Sequence, residues 1–357
     1  MAIQNLKLAS ERQSSLPPFT ALPEDGMAPR DQRDLMERPF FSLAKSKRIA
    51  PIHYRAGDVE VHVFGLPEYG MATIWDADVL VWAASQIVEA LDHGLAPSRF
   101  FRFTPYQLLT AIGRPTGLHQ YKLLKAAFAR LQSTVVRTTI RNGEHWRNHQ
   151  FSWLNEWEEM ADRSGRVRGM EFVLPDWFYR GVIDRSLVLT IDPAYFGLSG
   201  GIERWLYRIA RKHAGRQPEG WSFDFRHLHA KSGSLARFSD FALDLRRITA
   251  SRRLPGYRLM LRRAADGREL LHVAPELSTE AVENRVTPIG RSGATAIGTS
   301  GARLSADRAH GAQLSLFLET GIRARNDSNF ESNDSYVVGA VEKGRRRLPP
   351  PRREETP

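Results

Sequence analysis

The sequence predicts an α+β protein built as two winged-helix domains in tandem, with disordered N- and C-terminal tails. Three observations carry this expectation. A helical stripe near the end of the ordered region is followed by a turn and a hairpin. An earlier part of the chain shows the same succession of features. Positive charge is concentrated in the later copy.

In the later copy, Phe238, Phe241, Ala242, Leu245 and Ile248 recur at the spacing of one apolar face of a helix. Ser239, Asp240, Leu243, Arg247, Ala250 and Ser251 fall on the opposite side, flanked by Arg246 and Arg253. Pro255-Gly256 then makes a turn, residues 257–261 and 270–273 form apolar runs, and Asp266-Gly267 joins them. Arg258, Arg262, Arg263 and Arg268 lie on this hairpin. A helix whose outer face holds short polar groups and arginines, beside a basic hairpin, has the outline of a recognition helix and wing.

The earlier copy is expected to begin with a strand at 59–64 and a long helix capped by Thr73, running to about Leu91 before His93-Gly94. An aromatic strand at 100–103 comes next. Thr104-Pro105 is an N-cap followed by proline at the first helical position, opening a helix over 106–112 that Gly113 ends. A third helix, 118–132, turns Tyr121, Leu124, Phe128 and Leu131 inward and His119, Lys122, Ala126 and Arg130 outward. The β-branched run 135–140, the Asn142-Gly143 turn and the return at 145–153 are read as its wing.

Strands at 166–174 and 187–191 and a short helix at 175–182 connect the copies. In the second copy, residues 202–213 match the long helix and 221–225 the aromatic strand. Asp224 takes the place of Thr104, and Gly233 that of Gly113. The expected divisions are a tail at 1–38, a first winged helix at 39–191, a second at 192–276, and a tail at 277–357.

Bulk composition narrows the function. The 357 residues are 42% hydrophobic and 25% charged, with net charge +11 and no cysteine. Neither a disulfide framework nor a thiolate zinc site is available, which fits a reducing cytoplasm. The longest apolar run, 79–84, falls far short of the roughly 18 residues of a membrane span, and no signal-peptide core is seen at the N-terminus. An arginine-rich basic protein of this kind suits a polyanion, nucleic acid ahead of a membrane surface. Between Trp221 and Pro275, eleven basic residues face five acidic ones, an excess of +6.

The segments PFFSLAKSKR (39–48), PEYGMATIWDADVLVWAASQI (67–87) and FRFTPYQLLTAIGR (101–114) resemble the plasmid replication initiator protein A family. AYFGLSGGIERWLYRIARKH (194–213) is similar to the entry into the second winged helix of iteron-binding initiators more broadly. The similarity covers roughly residues 39–275. It implies binding to repeated origin sequences in double-stranded DNA, with the second winged helix dominating major-groove contact. The first would supply homodimerisation and backbone contacts. Carried onto this chain, it points to Arg237, Ser239, Asp240, Arg246, Arg247 and Ser251 on the recognition helix. It also implies strand opening and recruitment of a host initiator protein and the replicative helicase.

Gln313, Leu314, Ser315, Leu316 and Phe317 match the consensus by which bacterial proteins dock on the replicative sliding clamp. An extended peptide can seat Leu314, Leu316 and Phe317 in apolar pockets while Gln313 fixes register. The competing reading is a short amphipathic helix packed on the body.

Catalytic signals are weak. His227-Leu228-His229 would suit the metal pair of a rolling-circle nickase on a strand. Here it falls on a predicted helix, where residues two apart diverge by about 200° and cannot share a metal. Residues 144–149 do not form HExxH, and there is no phosphate-binding loop. The expectation is therefore a non-enzymatic initiator with no cofactor and no metal. A winged-helix transcriptional regulator or partition protein is the alternative, and a nickase the more remote one.

Overall fold

A computed structural model describes residues 17–23, 26–141, 148–164, 167–215, 217–251 and 254–276. In chain order it contains β1 (Phe19–Thr20), β2 (Arg30–Gln32), α1 (Arg33–Glu37), β3 (Ile52–Ala56), β4 (Val59–Gly65), α2 (Ala77–Asp92), β5 (Phe100–Phe103), α3 (Pro105–Ala111) and α4 (Leu118–Ser133). Then come β6 (Thr134–Thr138), β7 (His149–Ser152), β8 (Glu156–Ala161), β9 (Val167–Val173), α5 (Asp176–Ile183) and β10 (Val188–Thr190). The last part holds α6 (Gly201–His213), β11 (Trp221–Asp224), α7 (Phe225–Ser232), α8 (Phe238–Ser251), β12 (Tyr257–Arg263) and β13 (Glu269–Pro275).

Two halves repeat one order of elements: helix, strand, helix, helix, strand, strand. In the first half these are α2, β5, α3, α4, β8 and β9; in the second, α6, β11, α7, α8, β12 and β13. Their sheets match as well, with β5 beside β9 beside β8 and β11 beside β13 beside β12. Phe100 lies opposite Val173, and Trp221 opposite Val273. The caps repeat too. Thr104 accepts from the Gln107 backbone and Gln107 reaches back, while Asp224 accepts from the N–H groups of Arg226 and His227. Gly113 and Gly233 end the corresponding helices with φ of +66° and +62°. At Gly233 a Cβ would sit 2.7 Å from Pro39, so both conformation and space call for glycine.

This pairing corrects the expected first wing. The run 135–140 and its return do not lie beside β5. They form β6 and β7, which join β3 and β4 in a separate sheet of order β3-β4-β6-β7. The hairpin that pairs with β5 is β8–β9. A β-branched run with an Asn-Gly turn is a stronger local hairpin signal than the glutamate-rich β8. The choice between them is made by which strand the free edge of β5 meets. The turn residues themselves, 142–147, lie outside the described residues.

The tail drawn at 1–38 is corrected as well. Within it, β1 runs parallel to β5, β2 pairs antiparallel with β10, and α1 buries Leu35 and Met36. These pieces are two to five residues long, too short for any periodicity to show. Tertiary contacts hold them: Gln86 exchanges hydrogen bonds with the backbone of Leu22, and Ser85 Oγ accepts from the Arg30 N–H.

Helix α2 runs through the centre, where every residue from Ala77 to Val88 is buried rather than a single stripe. Phe101, Phe103 and Phe172 pack around Trp82 on one side, and Phe128 packs against Phe103 and Phe172. Phe40 and Phe41 pack on Trp153, with Phe41 stacked at 4.9 Å. Trp205 meets Phe241 at 6.5 Å in the second half. One continuous core spans both halves, and the boundary drawn at 191/192 falls inside it, between β10 and the short helical turn Pro193–Gly197.

Buried ion pairs cross between the halves. Asp78 on α2 accepts from Arg204 of α6 and from Arg114, each at 2.7 Å. Asp31 receives two hydrogen bonds from Arg208, at 2.6 and 2.8 Å. Arg48 is buried and donates to the Gly233 carbonyl at 2.6 Å. Glu37 on α1 pairs with Lys212 and Lys231, and His213 stands 3.7 Å away.

Burial alone would raise the Glu37 carboxyl, but His213 and the charges of Lys212 and Lys231 outweigh it and hold it far below its ordinary value of 4.5. A depressed carboxyl stabilises the fold above its unfolded value and loses that contribution as pH falls. Glu37→Gln should therefore lower stability at neutral pH by roughly 3 kcal/mol. The gap from wild type should narrow steadily below pH 4.5, as read by urea unfolding across a pH series.

Candidate nucleic-acid interface

Helix α8 takes the face its sequence pattern dictates. Phe241, Ala242, Leu245 and Ile248 are buried, while Ser239, Asp240, Leu243, Arg247, Ala250 and Ser251 are exposed. Phe238, counted with the inward stripe, is only partly buried and carries the Arg226 guanidinium 4.6 Å above its ring. Arg237 is exposed just before the helix, and its carbonyl accepts from the N–H groups of Asp240 and Phe241. Ser251 Oγ donates to the Ile248 carbonyl at 2.8 Å, and Ser239 Oγ donates to Asp240 at 3.3 Å.

The arginines divide by their partners. Arg247 is 69% exposed and only loosely paired with Asp244, at 3.6 Å, so its guanidinium can swing to a guanine edge. Arg246 is engaged: two hydrogen bonds of 3.1 and 2.5 Å join it to Glu269 on β13. Those bonds hold the Glu269 carboxyl below its ordinary value and the Arg246 guanidinium above its own. Arg246 thus braces α8 against the hairpin.

On that hairpin, Arg258, Arg262 and Arg263 are exposed along β12, an edge strand. Arg268 binds Asp266 at 2.6 Å and reaches Asp224 at 3.4 Å. Arg253 lies outside the described residues, as do Gln313, Leu314, Ser315, Leu316 and Phe317. Leu243, 43% exposed beside Arg247, offers an apolar contact of the kind a thymine methyl takes. The sequence pattern puts it on the outward face, though not among the residues read there as DNA-binding.

The first half presents a different surface. His119 and Lys122 are exposed on α4, as expected. Arg130 is not available: its guanidinium binds both oxygens of Asp76 at 2.7 Å, and Asp76 also accepts from the Thr73 N–H at the start of α2. A helical wheel gives the direction of Arg130 but not the carboxylate waiting there. Beyond α4, β8 carries Glu156, Glu158 and Glu159, and Glu159 pairs with Lys125 at 2.7 Å. One hairpin is acidic and the other basic.

His227 and His229 lie on a helix, α7. His229 meets the Ala236 carbonyl at 2.9 Å. Among the described residues no cluster of three or more His, Cys, Asp or Glu could hold a metal ion, and no described helix is long and apolar enough to cross a membrane.

The sequence profile of replication initiator protein A matches residues 30–259. The chain belongs to that family. The initiator is also 28% identical over 228 residues to a protein of Wigglesworthia glossinidia brevipalpis provisionally named a replication protein; the match covers 63% of this chain and 82% of that one. Among solved structures, a crystal structure of domains 2 and 3 of RctB aligns with a TM-score of 0.50 at 13% identity, covering 68% of the initiator and 97% of that chain. A second RctB structure spanning the same domains aligns at 0.46 and 12% identity.

Substitution should separate the exposed arginine from the one engaged by Asp76. Arg247→Ala should weaken binding to a cognate duplex by about 1–3 kcal/mol with an unchanged melting temperature. Arg130→Ala should lower the melting temperature, because it strands Asp76, and shift affinity little in the folded fraction. Fluorescence anisotropy and thermal melts on the same preparations would check both.

Proposed function

We propose that this initiator is a tandem winged-helix protein that reads repeated origin DNA with its second repeat and recruits host replication machinery through its C-terminal segment. The observation that carries the reading is the exposed face of α8, with Arg247 beside Arg237 and the basic strand β12. On it, Arg247 and the short polar groups meet base edges, while Arg258, Arg262 and Arg263 meet phosphates. Glu269 fixes the angle between the two elements through Arg246. The acidic β8 argues against equivalent phosphate contact by the first wing, leaving His119 and Lys122 as the first repeat's contacts. The reading is non-enzymatic, in a cytoplasmic setting, with plasmid-type iterons as target. A homodimer, a host initiator protein and the replicative helicase complete its expected partners.

Footprinting on the DNA flanking its own gene, across a salt series, tests this reading. Evenly spaced protected repeats, lost steeply as salt rises, are expected. A single palindromic site would favour a transcriptional regulator. Covalent cleavage of either strand would overturn the non-enzymatic assignment.

Recruitment has its own test. Replacing Leu316 and Phe317 with alanine should abolish retention of the full chain on immobilised sliding clamp and leave the footprint unchanged. Undiminished retention would remove the clamp from the mechanism.

A further inference from the structure

One exposed face is used by neither repeat. The inserted sheet β3-β4-β6-β7 buries Ile52, Tyr54, Val61, Val63 and Val136 on one side. Strand alternation turns the other side outward. There His53 lies opposite His62, His62 opposite Arg137, and Arg137 opposite Gln150. One polar side chain per strand thus crosses the whole sheet, a span of roughly 14 Å at ordinary strand spacing. Phe64 and Val135 form the row on one flank, Arg55 and Glu60 that on the other. His53, Arg55, Phe64, Arg137 and Gln150 are all exposed.

The rings on this face are gathered. His53 is centred 5.0 Å from His62 and 5.7 Å from Phe64. The planes of His62 and Phe64 lie within 21° of each other. Phe64 is 42% exposed, whereas most phenylalanines of the described chain are buried. The carboxylate within these rows, Glu60, is engaged by Arg55 at 3.6 Å and His62 at 3.8 Å. Arg137 makes no ion pair among the described residues.

We propose that this face binds single-stranded nucleic acid. Unpaired bases expose flat π-faces that a duplex keeps stacked, and the near-parallel rings of His62 and Phe64, with His53 edge-on to both, give them a place to stack on an open sheet. Arg137 and Arg55 stand on either side of the imidazole row, where they reach the phosphates of a strand crossing it. Gln150 adds hydrogen bonding at the far strand. A second copy of the chain fits less well: Phe64 and Val135 are the apolar groups of these rows, too few for the apolar centre of a stable protein interface.

The test uses the full chain and a labelled oligothymidylate, with the cognate duplex measured in parallel. Phe64→Ala combined with Arg137→Gln should weaken oligothymidylate binding about tenfold and leave duplex affinity within about twofold, while Phe64→Trp binds as the parent does. Should the double variant fail to fold, Arg137→Gln alone and Gln150→Ala carry the same comparison. An oligouridylate arm shows whether the sugar matters, and binding to either strand supports the proposal. Unchanged oligothymidylate affinity in a folded variant overturns it. So does an equal loss on the duplex, which would make the face a duplex contact. A shift in the monomer–dimer balance by sedimentation, with strand binding intact, overturns it in favour of a contact between copies.

Discussion

The two repeats are held together by carboxylates buried against arginines, and the rest of the architecture depends on those pairs. Asp31 and Arg208 are each 2% exposed, and Asp78 is fully buried between Arg204 and Arg114. Removing either partner would strand a charge in a medium that cannot hydrate it, so each pair acts as a constraint as much as an attraction. Because Asp31 and Glu37 come from the N-terminal segment and their partners from α6 and α7, that segment works as a strap across both halves. It also completes the first sheet through β1. The fold is one body assembled from two copies of a motif, and the angle between the copies is fixed by the strap.

The two halves match in backbone geometry but differ in charge. Both halves keep the strand register, the helix caps and the left-handed glycines, because these are demanded by backbone geometry. Nothing demands that a solvent-facing hairpin keep its charge. The second wing carries Arg258, Arg262, Arg263 and Arg268, whereas the first carries Glu156, Glu158 and Glu159. The first half has in addition an extra sheet, with β3 and β4 coming before α2 and β6 and β7 between α4 and the β8–β9 hairpin. The two hairpins therefore present surfaces of opposite charge on one molecule.

How much of this was legible in the sequence depended on how local each signal was. The stripe of α8, the caps at Thr104 and Asp224, and the basic hairpin after Gly256 are set by neighbours within a few residues, and all three stand where the pattern put them. Arg130 failed because its partner, Asp76, lies 54 residues away. Arg246 was placed on the right element, but its bond to Glu269 joins a helix to a strand that no helical wheel represents. The first wing failed because two hairpins competed for one sheet edge, and the locally stronger one lost. The strap was invisible because its strands are two and three residues long. The exposed face of α8 was thus readable as a surface but not as a set of partners.

The strap also has a consequence for how the chain is made. Asp31 precedes Arg208 by 177 residues. At roughly 5–20 residues per second, that interval keeps the carboxylate waiting about 10–35 seconds during synthesis. Throughout it, the partners of Asp31 and Glu37 on α6 and α7 do not yet exist, although Ser85, Gln86 and β5 are already there to hold Arg30, Leu22 and β1. The first repeat leaves the ribosome with only the near side of its strap fastened. Closure onto α6 and α7 must come later, as a non-local event that joins the N-terminal segment to the second repeat.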